Sequence, residues 1–155
     1  MGLAAVSNSL RRERNALEQL AFKLSEEQRL LEVGDVWALA LATREVATTL
    51  EEVGQADLMR AIEVQLVVED LGLDSTASMR QIVDASPSPW STILRSHYEA
   101  LRALTNEITR LARVNGRQHA RAAVILETIS SIRLDTAEHQ CAPTALFPSL
   151  VDFLK

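Results

Sequence analysis

The chain has 155 residues, 47% of them apolar, and a formal charge of −5. That length suits one domain, the acidic balance argues against general nucleic-acid binding, and a single cysteine, Cys141, excludes an internal disulfide or an all-cysteine metal site. Aromatics make up only 4% and there are five Gly and four Pro, so Leu, Ala, Val and Ile carry the packing and few turns are available. This favours helices over many short strands. No apolar run approaches the ~18 residues of a membrane span. The opening Met-Gly-Leu-Ala-Ala-Val-Ser lacks the basic and long apolar segments of a signal peptide. A cytoplasmic protein without stable membrane insertion is expected.

Leu3, Leu10, Leu17, Leu24 and Leu31 recur every seven residues. Val6 and Leu20 fill part of the companion row, and Glu13 and Glu27 interrupt it. The pattern predicts a first long amphipathic helix over about 6–32. Its mixed charges (Arg11, Arg12, Arg14, Lys23 and Arg29 against Glu13, Glu18, Glu26, Glu27 and Glu32) predict a solvated flank.

Gly34-Asp35 breaks the pattern. Gly34 suits the left-handed closing residue of a helix and Asp35 suits the cap of the next. A second helix is predicted over about 36–71, with Trp37, Leu41, Val46, Leu50, Val53, Leu58, Ile62, Leu66 and Val67 as its apolar residues. So short a connection makes the two helices antiparallel. Thr48-Thr49 and Gly54 lower helix propensity, which predicts a continuous helix or a mild bend near Gly54. Gly72 closes this helix, Ser78 caps a short one over 79–85, and Ser86-Pro87-Ser88-Pro89 stops that one, because residues before proline avoid the helical region. Met79, Ile82 and Val83 give the connector an apolar face, expected to lie over the bundle end with Trp90.

The longest helix is predicted from Pro89 to about Arg133, with Ser88 as its cap and Pro89 at the first helical position. At ~1.5 Å per residue it would span roughly 65–70 Å. One heptad row reads Leu94, Leu101, Ile108, Asn115, Ala122, Ile129. The other reads His97, Leu104, Leu111, Gln118, Ile125, Ile132. Asn115, Gln118 and the adjacent Gly116 interrupt this seam. The expectation there is a loosened turn or local kink, or else a soft spot where another helix docks. Arg110, Arg113, Arg117 and Arg121 share one face. Seven arginines against three glutamates make 89–133 net +4. The stripe is expected to pair with acids of the other helices, or to guide an acidic partner. Beyond Arg133 the chain turns polar, and Pro143 and Pro148 forbid one continuous helix. The apolar tail over 143–155 is expected to dock on its own bundle or a neighbour's. The fold class is all-α: a single domain, an elongated antiparallel three-helix bundle or coiled coil with a short connector helix.

Chemistry is sparse. His97 on the seam reads as a hydrogen-bonded core or boundary histidine. His119, among Arg117, Gln118 and Arg121, is expected to be solvated. Asp135, Glu138, His139 and Cys141 are metal-ligand types, but their spacing fits no compact zinc pattern. No Gly-rich phosphate loop occurs, and no base and orienting group stand near a nucleophile in the sequence. No catalytic residue, metal site or cofactor is expected, and the protein is not expected to be an enzyme.

Several stretches in this order resemble the FlgN family. They are the amphipathic Leu17–Leu31 segment, the second-helix run through Thr43-Arg44-Glu45, and Leu71-Gly72-Leu73 with its Ser/Pro connector. The fullest likeness is Leu101-x-x-Leu104-Thr-Asn-Glu-Ile108-x-x-Leu111-x-x-x-Asn115. The likeness covers about Leu3 to Arg133, and the tail from Pro143 has no counterpart in it. The resemblance implies a small helical flagellar export chaperone. Such a protein binds the C-terminal segments of hook-associated (hook-filament junction) proteins, prevents their premature assembly and delivers them to the flagellar export apparatus. It places client contacts on the C-terminal part of the long helix, here about Leu111 to Arg133, with Leu111, Val114, Asn115, Gln118, Ile125 and Ile129 as partner-binding residues. A client helix with an apolar stripe fits such a surface through i, i+3, i+4 anchors. The alternative is a structural coiled-coil adaptor that forms homo-oligomers through its helices, the first above all.

Overall fold

The computed structural model describes residues 2–130 and 148–155. Five helices lie among them: α1 (Gly2–Val33), α2 (Val36–Asp70), α3 (Met79–Ala85), α4 (Trp90–Ser130) and α5 (Pro148–Phe153). The chain is an all-α bundle, and α1 and α2 form the antiparallel hairpin that the two-residue break at Gly34-Asp35 requires.

The turns follow from local chemistry. Gly34 has φ 78°, and its N–H bonds to the Leu30 carbonyl at 2.9 Å. Asp35 then caps α2 through its Oδ1, which accepts from the Ala38 N–H at 3.0 Å. Gly72, at φ 66°, closes α2 in a Schellman motif: its N–H reaches the Glu69 carbonyl, and the Leu73 N–H reaches that of Val68. Ser78 and Gln81 form a reciprocal capping box at the start of α3. The long helix starts one residue later than expected. The Pro89 carbonyl accepts from the Ile93 N–H at 3.3 Å, so Pro89 stands in the capping place foreseen for Ser88.

The organising helix is α1, not the longer α4. It packs along both α2 and α4, while α3 lies against α4. The order is up, down, up, so α4 runs parallel to α1. Three contacts fix that register: Ser7 to His97, the Leu24 carbonyl to Asn115 and Glu27 to His119. The core runs the length of the hairpin through Val6, Leu10, Leu17, Leu20, Val53, Val67, Leu94, Leu101, Ile108 and Leu111, all buried. Each buried side chain of this size contributes about 1.5–3 kcal/mol relative to exposure. Neither interior glycine interrupts its helix. Gly54 and Gly116 lie in unbroken α2 and α4, and both face solvent with nothing within 4 Å of a built Cβ.

The tail supplies a helix that its prolines obscure. Pro148 opens α5, where a missing N–H is harmless. Leu150, Phe153 and Leu154 are buried in the core. The Phe153 ring lies 4.3 Å from the Arg60 guanidinium of α2, and Leu154 borders a recess with Tyr98 and Thr105 of α4.

Candidate functional site

Two polar stations break the apolar rows of α1, and both lie inside the bundle. Glu13 is 0% exposed and Arg60 of α2 is 3% exposed. Arg60 Nε lies 2.9 Å from Glu13 Oε2, and the same guanidinium bonds to Asp57. The Nε–H is not directed at the carboxylate, so both Glu13 oxygens lack a hydrogen-bond donor. Burial, reinforced by the neighbouring Asp57 carboxylate, pushes the Glu13 carboxyl up to about 7, against the pull of Arg60.

Glu27 lies four turns further along α1 and ties three helices together. It accepts from Thr43 of α2 at 2.9 Å and from Asn115 of α4 at 2.9 Å, and His119 Nε2 lies 3.0 Å from its Oε1. Asn115 also donates to the Leu24 carbonyl at 2.9 Å. Burial pulls the Glu27 carboxyl up, but the bonds from His119, Asn115 and Thr43 together hold it below the ordinary carboxylate range. The polar break in the α4 seam is therefore the partner of the break in the α1 row. His119, expected to be solvated, has a side chain 40% exposed and also faces Glu27. The sequence signal for this was the pair of interruptions, Glu27 in one row and Asn115 in the other.

His97 is a buried, hydrogen-bonded histidine on the seam, as its position implies. Its Nε2 lies 3.2 Å from Ser7 Oγ. Burial, with Arg11 and Arg14 nearby, holds the imidazole below its usual range.

The partner-binding candidates divide along α4. Leu111 and Asn115 are buried within the chain's own core. Val114 and Gln118 are half-buried on either side of them. Ile125 and Ile129 lie further along α4, and their side chains fall outside the described residues. At the offset set by Glu27 and His119, Val33 at the end of α1 lies level with Ile125. The final turn of α4 thus runs past the end of α1. The same end of the bundle carries exposed apolar residues at the α1–α2 turn: Val33, Val36, Leu41 and Trp37, the last 85% exposed. Trp37 and Leu41 belong to the apolar residues foreseen for α2, yet they face away from its packed side.

Among the described side chains, the arginines of the stripe form no ion pair with α1 or α2. Arg110 pairs with Glu107 of its own helix, and Arg117 bonds to the Arg113 carbonyl. Arg95 pairs with Asp84 of α3. The leucine row of α1, by contrast, is spent on its neighbours: Leu3, Leu10, Leu17 and Leu24 are all buried.

Among the described residues no group of three or more His, Cys, Asp or Glu side chains is placed to hold a metal ion. The Asp135–Cys141 cluster lies outside them. No described helix is long and apolar enough to cross a membrane. No curated protein and no solved structure matches the chain. One family does match, described as FlgN protein, over residues 1–138. That span takes in both polar stations, the whole described seam and the turn at Gly34, and the chain accordingly belongs to the FlgN family of flagellar export chaperones.

Proposed function

We propose that the protein is a cytoplasmic chaperone that holds the C-terminal segments of hook-filament junction proteins and passes them to the flagellar export apparatus. The observation that carries this reading is the overrun of α4 beyond α1, beside an exposed apolar turn. A helix that outlasts its partner leaves its apolar positions for another chain. In this reading Val114, Gln118, Ile125 and Ile129 contact the client, with Trp37 at the neighbouring turn. Leu111 and Asn115 hold α4 on α1 and so set the angle at which the distal segment is presented. A client segment that orders on binding gives up part of its affinity, which suits a complex that must later release.

The test is a titration of the full chain with a labelled C-terminal segment of a hook-associated protein. Binding with a Kd on the order of micromolar, weakened about tenfold by Ile125→Ser with Ile129→Ser, is expected. Absence of binding at tenfold higher concentration, or binding indifferent to those changes, would overturn the reading.

A further inference from the structure

The outer face of α2 remains unexplained by the client site. Leu58, Ile62 and Leu66 are 62%, 51% and 55% exposed. They succeed one another at four-residue spacing, so they form one stripe along the helix. The packed side of the same helix is made by Val53, Arg60, Val64 and Val67, roughly opposite. Single exposed leucines are ordinary, but an ordered row of them marks an interaction surface.

The charges around the stripe select its occupant. Glu51, Glu52, Glu69 and Asp70 are exposed at its two ends, and Glu63 is half-buried at its edge. Arg60, the basic residue of this half of α2, is buried. On the α1 side Arg12 borders a small recess with Met59 and Glu63, so acids outnumber the cation at the rim. A second copy of the chain fits poorly. Antiparallel pairing of two α2 stripes sets Glu51 and Glu52 against Asp70 and Glu69 of the other copy, and parallel pairing sets each acid against itself. Like charges so placed are costly. The arginine face of α4 would match in charge but lacks an apolar row, since Ile93 is its one large exposed apolar residue among the described side chains.

We infer that the Leu58–Ile62–Leu66 face of α2 is a second docking surface, which receives an amphipathic helix of another protein with leucine-type anchors flanked by Lys or Arg. It lies toward the opposite end of the hairpin from the proposed client contacts on α4 and from Trp37 at the start of α2, so each surface stands or falls separately.

The experiment titrates the full chain with three labelled synthetic helical peptides. One has leucines at four-residue spacing flanked by lysines, one has the same leucines flanked by glutamates, and one keeps the lysines with serines for leucines. The leucine–lysine peptide should bind, more weakly as salt rises, and at least about tenfold more weakly to the L58S/I62S/L66S variant. These side chains are exposed, so the variant should keep its helix content. The E69K/D70K variant gives a second route by shifting preference toward the leucine–glutamate peptide. Ile125→Ser with Ile129→Ser should leave binding unchanged. Three results would each overturn the proposal: equal binding by the triple variant, equal binding of the serine–lysine peptide, or a dimer in sedimentation that the triple variant abolishes, which would make a second copy the occupant.

Discussion

Glu13 and Glu27 sit on one face of one helix, both inside the bundle; burial pushes both carboxyls up, yet they end on opposite sides of the ordinary value. Glu13 meets a guanidinium at close range but no well-aimed donor, and its carboxyl rises to about 7. Glu27 meets Thr43, Asn115 and His119, and its carboxyl is held low. At Glu13 the nearby cation does not offset desolvation, because the like charge of Asp57 stands beside it, whereas at Glu27 three directed hydrogen bonds do. The two stations also do different work. The one at Glu13 joins α1, α2 and, through Phe153, the C-terminal helix. The one at Glu27 joins α1, α2 and α4 just before α4 outruns its support.

The largest break in this comparison should come from Arg60→Ala. It leaves the buried Glu13 carboxylate without its cation and removes the surface on which Phe153 rests. A loss of about 3–5 kcal/mol in urea unfolding at neutral pH is expected. The loss should shrink as pH falls below about 7, where the folded Glu13 carboxyl takes up its proton and no longer needs the cation. A loss below about 1 kcal/mol at neutral pH would show that the station contributes little.

Glu13→Gln sharpens the contrast through pH. The folded carboxyl titrates near 7 and the unfolded one near its ordinary 4.5. Between these values the folded state keeps a proton that the unfolded state has released. Wild-type stability therefore falls as pH rises across that window, relative to the Gln variant, by about 3 kcal/mol at most. Parallel stability curves for the two proteins from pH 4.5 to 7 would contradict this.

Asn115→Ala should show the opposite sign at the other station. Glu27 loses one of its donors, so its carboxyl should climb when followed by NMR titration. The expected loss of stability is about 1–3 kcal/mol. The contribution of Glu27 is present above the ordinary carboxylate value and disappears as pH falls through its lowered one. In the variant, that disappearance should begin at higher pH.

Much of this arrangement is legible in the residues themselves. Heptad leucines, Gly34-Asp35, Leu71-Gly72-Leu73 and the Ser78 cap act locally, so their helices and turns follow from short-range chemistry. What crosses between helices is harder to read. Glu13 and Glu27 register in the sequence only as defects in an apolar row, because their partners lie far along the chain, Arg60 on α2 and Asn115 and His119 on α4. Trp37, Leu58, Ile62 and Leu66 look like core for the converse reason: apolar character does not say which face of a helix the bundle covers. The client candidates have the same difficulty. Leu111 and Val114 are neighbours in pattern, and packing against α1 buries one more fully than the other.

The smallest change tests what the glycine beside Asn115 is for. Gly116 has helical neighbours on both sides and open space where a methyl would go. Gly116→Ala should therefore raise stability by about 0.5–1 kcal/mol and leave the Glu27 titration where it was, since the network lies on the other side of the helix. Client affinity then separates two roles for this turn. If the distal part of α4 must yield here to admit a client helix, the stiffer variant should bind the hook-associated segment more weakly despite its greater stability. If affinity is unchanged while stability rises, presentation of the distal segment depends on the directed bonds of Asn115 and not on a soft turn next to it.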